Sequence, residues 1–72
     1  MTDICFLPQN IRALRRSKNL TQRELAKVLL VSYQAISAWE RGQSMPDLPN
    51  TLRIANYFGI TMDQLLSQPE ER

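Results

Sequence analysis

The sequence predicts an all-α fold of five short helices. Three observations point there. Helix-start signals recur, with capping boxes at Thr21/Glu24 and Thr61/Gln64 and N-cap residues at Ser32 and Asp47. Gly42 and Gly59 stand where helices are expected to stop, and no alternating apolar and polar stretch of strand length competes with them. The composition, 43% hydrophobic and 22% charged with two Gly and four Pro, is that of a folding chain and not of a disordered or low-complexity one.

The first helix is expected from about Pro8 to Ser17, because proline is tolerated in a first turn. Ile11, Leu14 and Leu7 form its inward stripe, and Arg12 and Arg16 lie one turn apart on its outer face. Lys18-Asn19 breaks it. In the next segment the Thr21 hydroxyl suits the N–H of Glu24, and the Glu24 carboxylate suits the N–H of Thr21, so a short helix runs from about Gln22 to Leu29. Leu20 can staple onto Leu25, Leu25, Val28 and Leu29 are its apolar residues, and Ala26 is small where the third helix packs closest.

A turn over Leu30 to Ser32 leads to a third helix reaching about Arg41. Ile36 and Trp39, three apart, face inward, which leaves Tyr33, Gln34, Ser37, Ala38 and Arg41 outside at 100° per residue. The linker Gln43 to Pro46 ends at Asp47, which caps a fourth helix running through Pro49 to about Phe58 with Leu52, Ile54, Ala55 and Phe58 apolar. Thr61 opens the fifth, carrying Met62, Leu65 and Leu66.

A chain of 72 residues is expected to be one domain over 1–72, with its core at about 8–67 and flexible ends at 1–7 and 68–72, the tail SQPEER fraying. A domain of this size buries only about 60% of its unfolded surface, so dimerisation would help it. The single cysteine, Cys5, allows no internal disulfide, and without histidine there is no Cys/His zinc site. The same absence removes the commonest general base and the Ser-His and Cys-His nucleophile pairs, so an enzyme is not expected, nor a cofactor, metal or small-molecule ligand. No apolar run approaches a membrane span, and MTDICFLPQN lacks the features of a signal peptide. The expected setting is therefore cytoplasmic, with no membrane partner.

Charge is uneven along the chain. The net value is +2, yet from Asn10 to Met45 seven basic residues stand against Glu24 and Glu40, a balance of +5, while residues 46–72 sum to −2. That asymmetry suits a polyanionic partner for the front half. The aromatic residues Phe6, Tyr33, Trp39, Tyr57 and Phe58 are not spaced as a base-stacking platform, so single-stranded RNA fits poorly.

Two short helices joined by a three-residue turn, with a supporting helix before and two after, have the layout of a helix-turn-helix. The stretches LTQRELA (20–26), VSYQAISAWERG (31–42), PDL (46–48) and ANYFGITMDQLL (55–66) resemble the Cro/repressor-type (Xre) family, including the DNA-binding domains of lambdoid phage repressors. The resemblance covers about residues 9–67 and implies a five-helix repressor-like bundle with the helix-turn-helix on helices 2 and 3. It also implies a structural ion pair between Arg15 and Glu40, against the plainer possibility of two solvated charges, and a phosphate contact at Gln22. The family's usual glycine is replaced by Leu30, so that either Leu30 is strained or the turn is modified.

For base reading, the amide of Gln34 suits adenine N6 and N7, the Ala38 methyl suits a thymine methyl, and Ser37 and Tyr33 complete the set. Gln22, Arg23, Ser32, Arg12, Arg16, Arg41 and Gln43 are the candidate phosphate contacts, with Lys18 and the backbone near Ser44 beside them. The implied function is a sequence-specific regulator binding double-stranded DNA as a homodimer on a palindromic operator and repressing by occlusion. Helices four and five, with Tyr57, Phe58, Met62, Leu65 and Leu66, form the expected dimer surface. The alternative is an antitoxin-like or antirepressor-like module that binds a protein partner and for which DNA is secondary.

Overall fold

The computed structural model describes residues 6–68. Five helices follow in order, α1 Leu7–Ser17, α2 Gln22–Leu29, α3 Tyr33–Glu40, α4 Leu48–Phe58 and α5 Met62–Leu66, and no strand occurs among the described residues. The flexible ends expected at 1–7 and 68–72 lie outside the described residues except for Phe6, Leu7 and Gln68. There the expectation is corrected at Leu7, which opens α1 and is buried, so the packed core includes residue 7.

Local chemistry fixes where the helices start. The hydroxyls of Thr21 and Thr61 accept the N–H of Glu24 and Gln64 at 3.0 Å, and the side chains of Glu24 and Gln64 return to the threonine N–H at 2.8 and 2.9 Å. Ser32 accepts from Ala35 N–H at 3.1 Å, and Asp47 from Asn50 N–H at 3.0 Å. Only α1 lacks a side-chain cap; it carries Pro8 in its first turn, where no N–H is needed.

The first four helices end in the same turn. A residue in the left-handed region follows each, Asn19 at φ 58°, Leu30 at φ 62°, Gly42 at φ 73° and Gly59 at φ 71°. The next residue's N–H reaches back to a carbonyl five positions earlier, as in Val31 to Ala26 and Ile60 to Ala55, both 3.0 Å. The turn at Leu30 is therefore not modified. A leucine adopts the conformation that glycine adopts elsewhere, and the residue is 81% exposed.

One core unites the helices, with Ile11, Leu25, Leu29, Ile36, Ile54 and Leu65 fully enclosed and Leu7, Ala26, Trp39 and Ala55 beside them. α2 packs most extensively on α3, with the small Ala26 buried between them. Val28, Leu52 and Leu66, all in apolar stretches, remain exposed. Asn10 is a buried polar residue. It takes the inner position between Leu7 and Ile11, where its Nδ2 donates to the carbonyls of Leu65 and Ser67 at 2.7 and 2.8 Å, tying α1 to the end of α5.

Candidate nucleic-acid interface

α3 is amphipathic in a particular way: its inner residues are large or charged and held, and its outer ones are small or polar and free. Ile36, Trp39 and Glu40 are buried, Gln34 and Arg41 are exposed, and Tyr33, Ser37 and Ala38 are half-buried. The short side chains of Ser37 and Ala38 leave the backbone of α3 open to close approach over their part of the surface.

A buried carboxylate sets the angle of this helix. Glu40 accepts from Arg15 through two bonds, Nε to Oε2 at 2.6 Å and Nη2 to Oε1 at 3.0 Å, and from Gln22 Nε2 at 3.1 Å. Arg15 also donates Nη1 to the Leu20 carbonyl at 2.8 Å. One side chain on α3 thus engages α1, the start of α2 and, through Arg15, the α1–α2 turn. Burial opposes the charge on Glu40, but the hydrogen bonds from Arg15 and Gln22 and the nearby Arg15 and Arg12 charges outweigh it and hold the carboxyl below the usual glutamate range. The bond to Glu40 raises the pKa of Arg15 against the opposing effect of its own burial.

Arg12, a candidate phosphate contact, has a partner inside the protein. Its Nη2 donates to the Glu40 main-chain carbonyl at 2.9 Å, satisfying the C-terminus of α3, although the side chain stays 43% exposed. Gln22 turns its amide inward to Glu40. Its main-chain N–H at the start of α2 and its second amide hydrogen are what it retains for a phosphate. Ser32 spends its oxygen as a cap, Arg16 is exposed, and Arg41 Nη2 donates to Gln43 Oε1 at 3.0 Å, joining two candidate contacts just beyond α3. Lys18 lies over the Tyr57 ring of α4 at 5.8 Å.

Of the residues expected at a dimer surface, Leu65 is fully buried, and Phe58 and Met62 pack against the core, leaving only Tyr57 and Leu66 exposed. The sequence reading missed Arg53, whose Nη1 donates to the Leu29 carbonyl at 2.8 Å and so steadies the turn before α3 from α4. No local signal marks that contact, since it depends on where α4 crosses α2. Asn10 was missed as well, although its place on the Leu7/Ile11/Leu14 stripe is the signal that marks it.

A helix-turn-helix family model matches residues 11–65. The chain belongs to the Xre-type helix-turn-helix family. The relatives that share this domain are transcriptional regulators and repressors. It is 44% identical over 62 residues to the transcriptional activator BcrR of Enterococcus faecalis, covering 86% of this chain and 30% of the activator. It is 37% identical to the uncharacterised HTH-type transcriptional regulator MJ0272 of Methanocaldococcus jannaschii, covering 82% of this chain and 89% of the relative. The crystal structure of the c2 repressor of Salmonella phage P22 with synthetic operator 9T superposes with a TM-score of 0.79 at 34% identity, covering 90% of this chain and 96% of that one. Apart from MJ0272, the first curated relatives are longer proteins, of which the chain spans half or less. No described helix is long and apolar enough to cross a membrane.

Proposed function

We propose that the chain is a cytoplasmic, sequence-specific binder of double-stranded DNA that acts as a homodimer on a palindromic operator and represses by occluding the promoter. The observation that carries the reading is the outer face of α3, where Gln34, Ser37 and Ala38 stand free on a helix whose inner face is anchored through Glu40. Gln34 pairs with adenine N6 and N7, and Ala38 and Ser37 meet neighbouring base edges. Arg16, Arg41 and Gln43, with the N–H groups at the start of α2, hold the phosphates. Similarity to a repressor solved on its operator supports the mode of docking, and a two-fold site would place half-sites about 34 Å apart.

Selection of bound duplexes from a random pool tests this reading. Enrichment of a two-fold motif is expected, together with affinity that falls steeply as salt rises. A half-site without its mate would defeat the dimer, and no enrichment would defeat sequence-specific binding. Occlusion is checked by transcription from a promoter carrying the selected site, where increased output would instead indicate activation.

A further inference from the structure

We infer that Arg23 reads a base edge with Tyr33 as its platform, so that base selection extends from α3 onto α2. The inference rests on the DNA-binding reading above and assigns a specificity-determining residue within it. Arg23 is the second residue of α2, and its guanidinium carbon lies 4.0 Å from the centroid of the ring of Tyr33, the first residue of α3. Held over the ring at that distance, the guanidinium is restrained by cation–π attraction while its N–H groups keep their hydrogen-bonding capacity.

Two of the basic residues before it are differently employed, while Arg16 is exposed. Arg12 and Arg15 are held at Glu40, whereas Arg23 donates to no acceptor and joins no ion pair among the described residues. Its neighbour Glu24 forms no ion pair with it and caps α2, one carboxylate oxygen accepting from Thr21 N–H at 2.8 Å. Arg23 therefore presents unsatisfied donors at the N-terminal end of α3, over the ring of the residue that precedes Gln34. Two acceptors side by side complete such a fork. Guanine O6 and N7 supply them in the major groove, and phosphate oxygens share the chemistry. The bidentate fork at the start of α3 favours guanine, and Lys27, which lines the same open concavity with Arg23, Glu24, Ala26, Val31 and Tyr33, is the mobile point charge suited to the adjacent phosphate.

The test titrates the full chain and its Arg23→Ala, Arg23→Lys, Tyr33→Phe and Tyr33→Leu variants against the selected duplex and against each single-base-pair replacement of it. Arg23→Ala is expected to lose about tenfold or more on duplexes keeping one outer G·C pair and less than about twofold once that pair is replaced. Tyr33→Phe should keep the preference, and Tyr33→Leu should lose it, with the Arg23→Ala/Tyr33→Leu double variant losing no more than Arg23→Ala alone. Arg23→Lys should retain the salt dependence and lose discrimination. Circular dichroism melts establish that each variant is folded. Equal weakening on every duplex, with a shallower salt dependence, would overturn the inference in favour of a phosphate contact, and unchanged binding of Arg23→Ala would overturn it outright. Absence of duplex binding by the unaltered chain would instead sink the DNA-binding reading.

Discussion

The two faces of α3 are built by opposite rules. Inside, Ile36, Trp39 and Glu40 are buried, and every polar atom of Glu40 has a partner, including its main-chain carbonyl. Outside, the Gln34 side chain makes no hydrogen bond among the described residues and lies exposed. A helix that must recognise an external surface needs free donors and acceptors on one side and a fixed angle on the other. Here the angle comes from a charged centre as well as from apolar packing. Substitutions on the inner face should therefore change stability, and those on the outer face should change recognition and leave stability alone.

The largest expected effect breaks the inner face. Glu40→Ala leaves Arg15 with an unpaired, largely buried charge and should cost about 3–5 kcal/mol, read as a lower urea midpoint. An unchanged midpoint would mean that apolar packing alone holds α3. The same centre predicts the acid response. The folded-state pKa of Glu40 is lowered, so its contribution to stability is complete above the unfolded glutamate value of about 4.3 and is lost as pH falls through the lower folded value. Glu40→Gln should flatten that acid limb in a urea-midpoint series from neutral pH to pH 3. Equal limbs in the two proteins would assign acid sensitivity to other groups.

The outer face gives the next effect. Gln34→Ala should relax preference at one base pair by about 1–3 kcal/mol and move the unfolding free energy by no more than about 0.5 kcal/mol, as for an exposed residue without partners. A clear loss of stability would show that Gln34 supports the fold and that the contrast between the faces is overdrawn.

How far these features are legible in sequence depends on their reach along the chain. The caps at Thr21, Ser32, Asp47 and Thr61 join residues three apart, so the four residues themselves carry the information. The outward stripe of α3 follows from helical geometry once its inward residues are known. Arg15 and Glu40 lie 25 positions apart, and only family resemblance pairs them. The inward turn of Gln22, the role of Arg12 at the end of α3 and the reach of Arg53 to Leu29 depend on crossing helices, which no periodicity encodes. A long cationic side chain on an outer face can also satisfy a helix end, as Arg12 does.

The smallest effect concerns the turn that delivers α3. Leu30 holds φ 62° and ψ 41° after α2, and Gly59 holds φ 71° and ψ 32° after α4, with the same backward hydrogen bond following each. A left-handed L-residue costs roughly 1–2 kcal/mol, part of which glycine returns as unfolded-chain entropy. Since Leu30 is 81% exposed, removing its side chain forfeits little burial. Leu30→Gly should therefore stabilise the domain by up to about 1 kcal/mol, or about 4–8 °C in Tm for a domain of this size. Gly59→Ala is the reciprocal change, because a Cβ there meets nothing within 4 Å and any loss is conformational. A fall in Tm for Leu30→Gly, alongside the expected fall for Gly59→Ala, would show that the leucine stabilises the turn through contacts that outweigh its backbone strain.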